Sequence, residues 1–501
     1  MAHTPLFGAL QRALRETGAP FGPRALSRRS FLVMGAALGA ATAAGCTRGA
    51  AAANIAIIGA GAAGLTAAYR LAQAGRSVTL YEASERLGGR MFTRRDFNAA
   101  GQFCELGGEL VDSNHTALQA LARELGVNVT PLAAENAAGE DLYQIAGRRY
   151  RQRDLADQDG RGAVVRLAAR IAEDQNALLD GDENWTDRAR ALDATSLQAY
   201  LASLNNMAPA WVMQLMDIAY AGEFGIPTAE QSALNLVDFI GTDTSSGFAM
   251  FGDSDETMRI EGGSSALTDA LAARLGERVR IARQHALTAA AREGENVRLS
   301  FTASDGTIER THSHVIFALP FTKLRGVAGL EALGLEDVKL QAIRELGYGD
   351  NAKLMISTQS RPWLGEGMTG ALYSDRAQVI WETSRGQAGD QGVLTNFLTG
   401  QRDRAAALAA MTAGLNALTP AAARSLDPNV AAWMDWQRQP FALGSYAGAK
   451  VGQYTTLLEE TGTPSTDGRI QFAGEHTSVD FIGFMNGAVE SGERAAAALL
   501  G

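Results

Sequence analysis

The stretch that most constrains the fold runs from Asn54 to Arg90. Asn54 to Ile58 is a short apolar run fit for a buried parallel strand, and Gly59, Gly61 and Gly64 follow at once in a G-x-G-x-x-G spacing. Leu65 to Ala74 then reads as a helix, and Ser77 to Tyr81 as a second strand ending at Glu82. Each glycine has its own task in such a unit. Gly59 permits the tight turn, Gly61 lets a pyrophosphate approach the backbone, and Gly64 lets helix pack close on strand. Ala62 and Ala63 lie at the helix start, whose free N–H groups face the phosphates. Glu82, with Ala83 beside it, is placed to accept hydrogen bonds from a ribose diol. Glycines in this spacing also occur in plain loops; strand, glycines, helix, strand and acid in that order point to a dinucleotide.

Past Glu82, Arg86-Leu87-Gly88-Gly89-Arg90 sets two glycines and two arginines where the chain can pass close under a long cofactor. Arg90 is then available to neutralise pyrophosphate charge. This E-x(5)-G-G-R extension resembles the FAD-binding signature of the flavin amine oxidases and their relatives, which NAD dehydrogenases lack. The cofactor implied is FAD.

At 501 residues the chain exceeds one ordinary core, so two or more domains are expected. Its 46% hydrophobic and 20% charged content is that of a soluble globular enzyme. The formal charge of −10 argues against nucleic acid and is compatible with cationic substrates. Of the two cysteines, Cys46 and Cys104, one lies near the N-terminus, so no disulfide framework is expected.

Ser27-Arg28-Arg29-Ser30-Phe31-Leu32 before an Ala/Gly-rich run looks like a twin-arginine export signal, and 1–50 is read as signal peptide and linker. That run is too short and too weak to span a membrane. Ala41-Thr42-Ala43 offers a cleavage site, while Ala44-Gly45-Cys46 offers a weaker alternative, lipid anchoring at Cys46. A periplasmic or secreted product is expected.

In the family resembled, the segment holding Gly107, Gly108, Glu109 and Leu110 passes close to the flavin ring. Glu109 and Leu110 depart from the small or aromatic residues usual there. No arginine occurs between Phe103 and Ala122 to clamp a substrate carboxylate as in amino acid oxidases. Glu109 and Asp112 either face an ammonium group or are hydrogen-bonded structural residues. Residues 130–255 read as helix-rich, with helices over Trp211 to Tyr220 and Ala233 to Ile240, and resemble a cap over the flavin. Tyr220-Ala221-Gly222-Glu223-Phe224-Gly225 offers an aromatic and a carboxylate, for which packing is also an account.

Val279-Arg280-Ile281 reads as a short strand, and the resemblance implies a backbone group beside the adenine at Val279. Asn296 to Thr302 and Thr307 to Thr311 alternate around Asp305-Gly306 as a hairpin. His314 to Pro320 is a buried strand. His312 and His314 have no Cys/His/Asp cluster around them and read as structural, with no metal expected. Asn351 to Ser357 alternates as a strand before Pro362-Trp363. Its Lys353 resembles the family lysine that holds a water at flavin N5.

Near the C-terminus, Phe472-Ala473-Gly474-Glu475-His476-Thr477 and Gly487-Ala488-Val489-Glu490-Ser491-Gly492 closely resemble the second FAD signature. Gly474, Glu475 and Met485 are thereby implied at the cofactor, Met485 next to the N1/C2=O edge, where a helix start stabilises negative charge. Tyr446 and Phe484 match the two aromatic rings that flank the amine, Phe484 also touching the cofactor. Where covalent relatives have cysteine, Ser445 stands, so non-covalent FAD is expected.

The fold class expected is α/β. A Rossmann-like, discontinuous FAD domain takes residues 54–115, 256–320 and 441–501. An α+β substrate domain has a helical cap over 116–255 and a mixed or antiparallel sheet over 321–440. The activity implied is oxidation of a primary or secondary amine by dioxygen through hydride transfer to flavin N5, yielding hydrogen peroxide. An L-amino acid oxidase, with Arg259 or Arg385 as carboxylate partner, is the alternative. A desaturase or porphyrinogen-type oxidase on the same fold, and a non-catalytic flavoprotein, are further ones. A small-molecule amine or amino acid and dioxygen are the partners expected, and a homodimer is left open.

Overall fold

The computed structural model describes residues 54–501 apart from 133–138, 152–159, 183, 240–253 and 401–402. The export motif and Cys46 lie outside the described residues. At the centre is a five-stranded, wholly parallel sheet built from distant pieces of chain. β1 (Ile55–Ile58) lies between β2 (Val78–Tyr81) and a strand that enters the sequence much later. β3 (Val279–Ala282) flanks β2. β4 (His314–Phe317) flanks β1, and Ile470–Phe472 closes the far edge. All of β1 is buried, as an apolar strand covered on both faces must be.

α1 (Ala62–Gln73) follows β1 directly. It begins three residues before the apolar pattern does, because Gly61 already serves as its N-cap. A Cβ on Gly64 would stand 1.9 Å from the Gly59 carbonyl oxygen, so only glycine allows this approach of helix to turn. A three-stranded antiparallel sheet, Ala286–Glu293, Asn296–Ala303 and Gly306–His312, is inserted before β4. It contains the expected hairpin and one strand more. His312 ties this insertion to the parallel sheet, its ring bridging Asn54 Oδ1 at 2.9 Å and the Tyr81 hydroxyl at 3.0 Å.

The second sheet has seven strands. Its order is Leu426–Asp435, β5 (Ala352–Thr358), Gly392–Leu398, Gln378–Glu382, Met368–Ser374, Glu140–Ile145 and Arg148–Arg151. The first four neighbours pair antiparallel, while Met368–Ser374 runs parallel to Glu140–Ile145, so the sheet is mixed. The hairpin over 140–151 adds two strands to a stretch that reads as helix-rich. Its turn residues Ala146 and Gly147 both have positive φ, 52° and 72°, the twist a two-residue hairpin turn requires. Over this sheet lie helices that include α2 (Ala210–Phe224), closed by Gly225 at φ 64°. The helix expected to Ile240 is described only over Leu234–Val237.

The chain finally returns to the parallel sheet. α3 (Met485–Ala498) packs across α1, and a Cβ on Gly492 would stand 2.4 Å from the Ala63 carbonyl oxygen. No helix among the described residues is long and apolar enough to cross a membrane.

Candidate active site

A cleft of about 420 Å³ runs along the C-terminal edge of the parallel sheet, the edge at which open α/β sheets bind ligands. Both sequence signatures line it, Gly59, Gly61, Ala62, Ala63, Glu82, Ala83, Arg86, Gly89 and Arg90 from the first and Gly474, Glu475, Phe484 and Met485 from the second, together with Gly108 from the segment between them. α1 and α3 start here, and neither N-terminus carries a side-chain cap. Two sets of free backbone N–H groups therefore face one cleft, the arrangement that holds phosphate and other negative charge. A Cβ on Gly61 would meet nothing nearer than Gly89 Cα at 3.9 Å, so the space above it belongs to the cleft. These features fit an elongated dinucleotide with a charged middle.

Glu82 is buried with its carboxylate held in place. Oε2 accepts from the Ala60 N–H at 2.9 Å, and Oε1 accepts from the Ser84 N–H and hydroxyl. Arg86 donates to the carbonyls of Leu87 and Met91 and lies over the Phe92 ring at 3.9 Å, which shapes the glycine loop. Burial lowers its basicity. Arg90 donates to the Ser445 carbonyl and pairs with Glu475, each at 2.7 Å. Glu475 also accepts from the N–H groups of Ala447 and Gly483. One carboxylate thus fastens Arg90, the residue after Tyr446 and the residue before Phe484.

Five expected cofactor residues stand elsewhere, among them Glu109, which pairs with Lys353. Gly64 serves the helix packing described above. Gly107 lies under Arg90, where its missing Cβ would be 1.8 Å from the Arg90 carbonyl oxygen. Leu110 is buried in a short strand paired with Arg259. Val279 is paired within β3 against Val78, so it stays inside the sheet. The chain crosses the cleft six residues on, where His285, Ala286 and Leu287 line it. The His285 N–H donates to the Glu82 carbonyl at 2.9 Å. Lys323 and Trp436 also line the cleft and carried no sequence signal that set them apart.

Lys353 lies one layer behind the cleft. The alternation of β5 puts it on the same face as Met355, which packs toward Phe97 and Trp436, while Leu354 and Ile356 enter the opposite core. Its ammonium donates to the carbonyls of Gly107 at 2.8 Å and Glu105 at 3.3 Å and to Glu109 Oε2 at 3.1 Å. An ammonium has three donors, so a water held there displaces one of these bonds. Glu109 Oε1 in turn accepts from Trp381 Nε1 and the Thr383 hydroxyl, which places Glu109 in this network and outside the cleft lining. Burial, then the nearby Glu109 charge, raises Glu105 to about 7, against the hydrogen bonds it accepts from Ser264 and Thr93.

A narrow cavity of about 40 Å³ adjoins the cleft and shares Gly483 and Phe484 with it. Tyr446 and Phe484 both line it, along with Glu223, Phe224, Asn235, Phe239 and Tyr454. The Tyr446 hydroxyl donates to the Glu223 carbonyl. Phe484 meets the edge of His115 with ring centroids 4.9 Å apart. Arg259 lines neither space; it lies over the Phe103 ring and donates to the Thr383 carbonyl. His476 is fully buried against Phe321, and burial holds its imidazole well below the usual range.

The pattern of the flavin containing amine oxidoreductases matches residues 62–500. Among individual proteins, (S)-6-hydroxynicotine oxidase of Paenarthrobacter nicotinovorans is 28% identical over 456 residues, covering 89% of this chain and 98% of its own. Nicotine dehydrogenase of Pseudomonas putida is 27% identical, over 88% and 87%. Among solved structures, putrescine oxidase bound to putrescine superposes with a TM-score of 0.74 at 23% identity, over 89% of this chain and 99% of that one. The lining of the cleft fits the FAD cofactor of this family.

Proposed function

We propose, from the premise that the chain belongs to the flavin-containing amine oxidoreductase family, that it oxidises a small primary or secondary amine with dioxygen as final acceptor. The observation that carries the choice of substrate is the cavity at Tyr446 and Phe484. It opens on the cofactor cleft at Gly483–Phe484, and among the described residues that line it none is cationic. A carboxylate-bearing substrate has no partner there, which favours an amine over an amino acid. When bound, FAD supplies the two-electron acceptor for the substrate's hydride and passes the electrons to dioxygen, giving hydrogen peroxide.

The chain's own residues set the conditions for that transfer. Apolar walls at Tyr446 and Phe484 exclude water, and a dry site disfavours a charged ammonium. The amine so bound is neutral, its lone pair free to form the C=N bond as the adjacent C–H leaves with its electrons. The resulting iminium reacts with water, releasing an aldehyde or ketone and ammonia, or an amine if the nitrogen was substituted. No general base is needed, because the proton leaves the nitrogen before binding. The uncapped start of α3 at Met485 would offer free N–H groups to negative charge on the reduced cofactor. Glu475 holds both aromatic residues in register with Arg90, and Lys353 fixes the Glu105–Glu109 segment behind the cleft. With Ser445 beside Tyr446, its hydroxyl donating to Asn351 at 2.6 Å, the cofactor is held without a thioether at that point.

A peroxide assay over a panel of amines and L-amino acids tests this reading, repeated anaerobically with a dye acceptor. Peroxide formed from amines is the expected result. Activity confined to L-amino acids refutes the substrate class, and dye reduction without peroxide refutes dioxygen as acceptor.

A further inference from the structure

We propose that Asn235 accepts a hydrogen bond from the substrate's own nitrogen, so that the enzyme selects amines that keep an N–H and discriminates against tertiary ones; this rests on the amine-oxidase reading above. Among the described residues that line the cavity, the polar side chains are Glu223, Asn235, Tyr446 and Tyr454. Three of them are committed within the protein. Tyr446 donates to the Glu223 carbonyl, Tyr454 donates to Asp238 Oδ2 at 2.7 Å, and Glu223 has interactions of its own in the fold. Asn235, in the short helix Leu234–Val237, is 1% exposed and differs from them.

A chain of amides fixes which end of Asn235 is spare. Gln231 Nε2 donates to the carbonyls of Tyr220 at 2.9 Å and Ile226 at 2.6 Å, so two acceptors set its orientation. Gln231 Oε1 is then the end that meets Asn235, and an amide oxygen can only accept. Asn235 Nδ2 donates to it at 3.3 Å and to the Ala449 carbonyl at 2.9 Å. Both hydrogens of Nδ2 are thus used inside the protein, and Oδ1 accepts from no described group. Packing does not seal that oxygen in, as it does the unpartnered Oδ1 of Asn396. A residue so placed turns its open acceptor to the cavity it lines.

This polarity suits the reaction. A neutral amine entering the cavity leaves water behind, and an N–H stranded there is costly. Oδ1 restores one such bond. A donor at the same place would instead occupy the nitrogen lone pair that must form the C=N bond, and an anion would hold the nitrogen protonated. The cavity is only about 40 Å³ and meets the cleft at Phe484, so a nitrogen held inside it lies close to both that ring and Asn235.

The test takes the best primary amine from the panel above with its N-ethyl and N,N-dimethyl derivatives, assayed with the FAD-loaded enzyme. The two derivatives are isomers; one keeps an N–H and the other has none. The wild type is expected to show a kcat/KM for the N-ethyl compound roughly ten- to a hundredfold above that of its isomer. For a derivative that is not turned over, its inhibition constant against the parent amine is compared in the same way. In Asn235→Leu the ratio is expected to fall close to one through loss on the N-ethyl compound alone, with the flavin absorption spectrum retained. Equal values for the two isomers in the wild type overturn the proposal and need no variant. So does an Asn235→Leu enzyme that handles both isomers less well and keeps the ratio, the mark of a packing role. If no amine at all is oxidised while the protein holds FAD, the amine-oxidase reading itself falls and this proposal with it, an outcome distinct from turnover without N–H preference.

Discussion

Lys353 and Glu109 form an ion pair of 3.1 Å with both side chains almost wholly shielded from water, at 2% and 3% exposure. Taking one partner away leaves the other charged in a dry setting. Lys353→Met should therefore cost about 3–5 kcal/mol of stability. The double variant Lys353→Met/Glu109→Gln should lose clearly less than the sum of the two single changes, because the stranded charge goes with its partner. Urea denaturation of all four proteins measures this; additive losses would show that the pair is not coupled. The family resemblance around Asn351 to Ser357 singled out Lys353, which strand alternation by itself would not have done. Its partner was not legible, because Glu109 lies 244 residues away in sequence and only folding brings them together. Of the two roles the sequence leaves open for Glu109, facing an ammonium group or a hydrogen-bonded structural one, the contacts show the second.

At the scale of elements, the start of α1 separates two uses of glycine that look alike in the motif. Gly64 has no room for a Cβ against the Gly59 carbonyl, whereas Gly61 has room in the protein itself. Gly61→Ala is expected to fold and melt as the wild type apoprotein does while binding FAD more weakly, since its methyl group occupies space the pyrophosphate needs. Gly64→Ala is expected to yield little folded protein. Thermal melts of apoprotein and flavin fluorescence titrations distinguish the two; equal FAD affinity in Gly61→Ala would remove the phosphate from that position. The beginning of the helix was misjudged from sequence by three residues, since apolar periodicity reports which side is buried and not where hydrogen bonding begins. The 140–151 hairpin escaped for a related reason. Its Ala-Gly turn is a weak signal, and its strands sit beside Met368–Ser374, a neighbour remote in the chain.

The molecule as a whole is held together at the cleft by segments from both ends of the described chain. Glu475 joins Arg90 to the loops carrying Tyr446 and Phe484, and α3 crosses α1. A cofactor that binds only this assembled state stabilises it by mass action, by about 2.7 kcal/mol at a hundredfold excess over Kd. Removing FAD should accordingly lower Tm and restoring it should raise Tm again, measured by intrinsic fluorescence with increasing FAD. A Tm that ignores FAD concentration would mean the two ends do not jointly grip the cofactor.

The sequence by itself determined that a dinucleotide unit opens the fold, that a second cofactor signature closes it, and most of the residues of these two signatures that line the cleft. It could do so because turns, helix starts and strand alternation are written over a few consecutive residues. Only the tertiary structure decided that His285–Leu287 and not Val279 line the cleft, that Lys353 donates to Glu105, Gly107 and Glu109, and that Glu223 shares a cavity with Tyr446 and Phe484. Those are meetings of residues far apart in the chain. They depend on where the strands cross and how the layers stack, which no local pattern encodes.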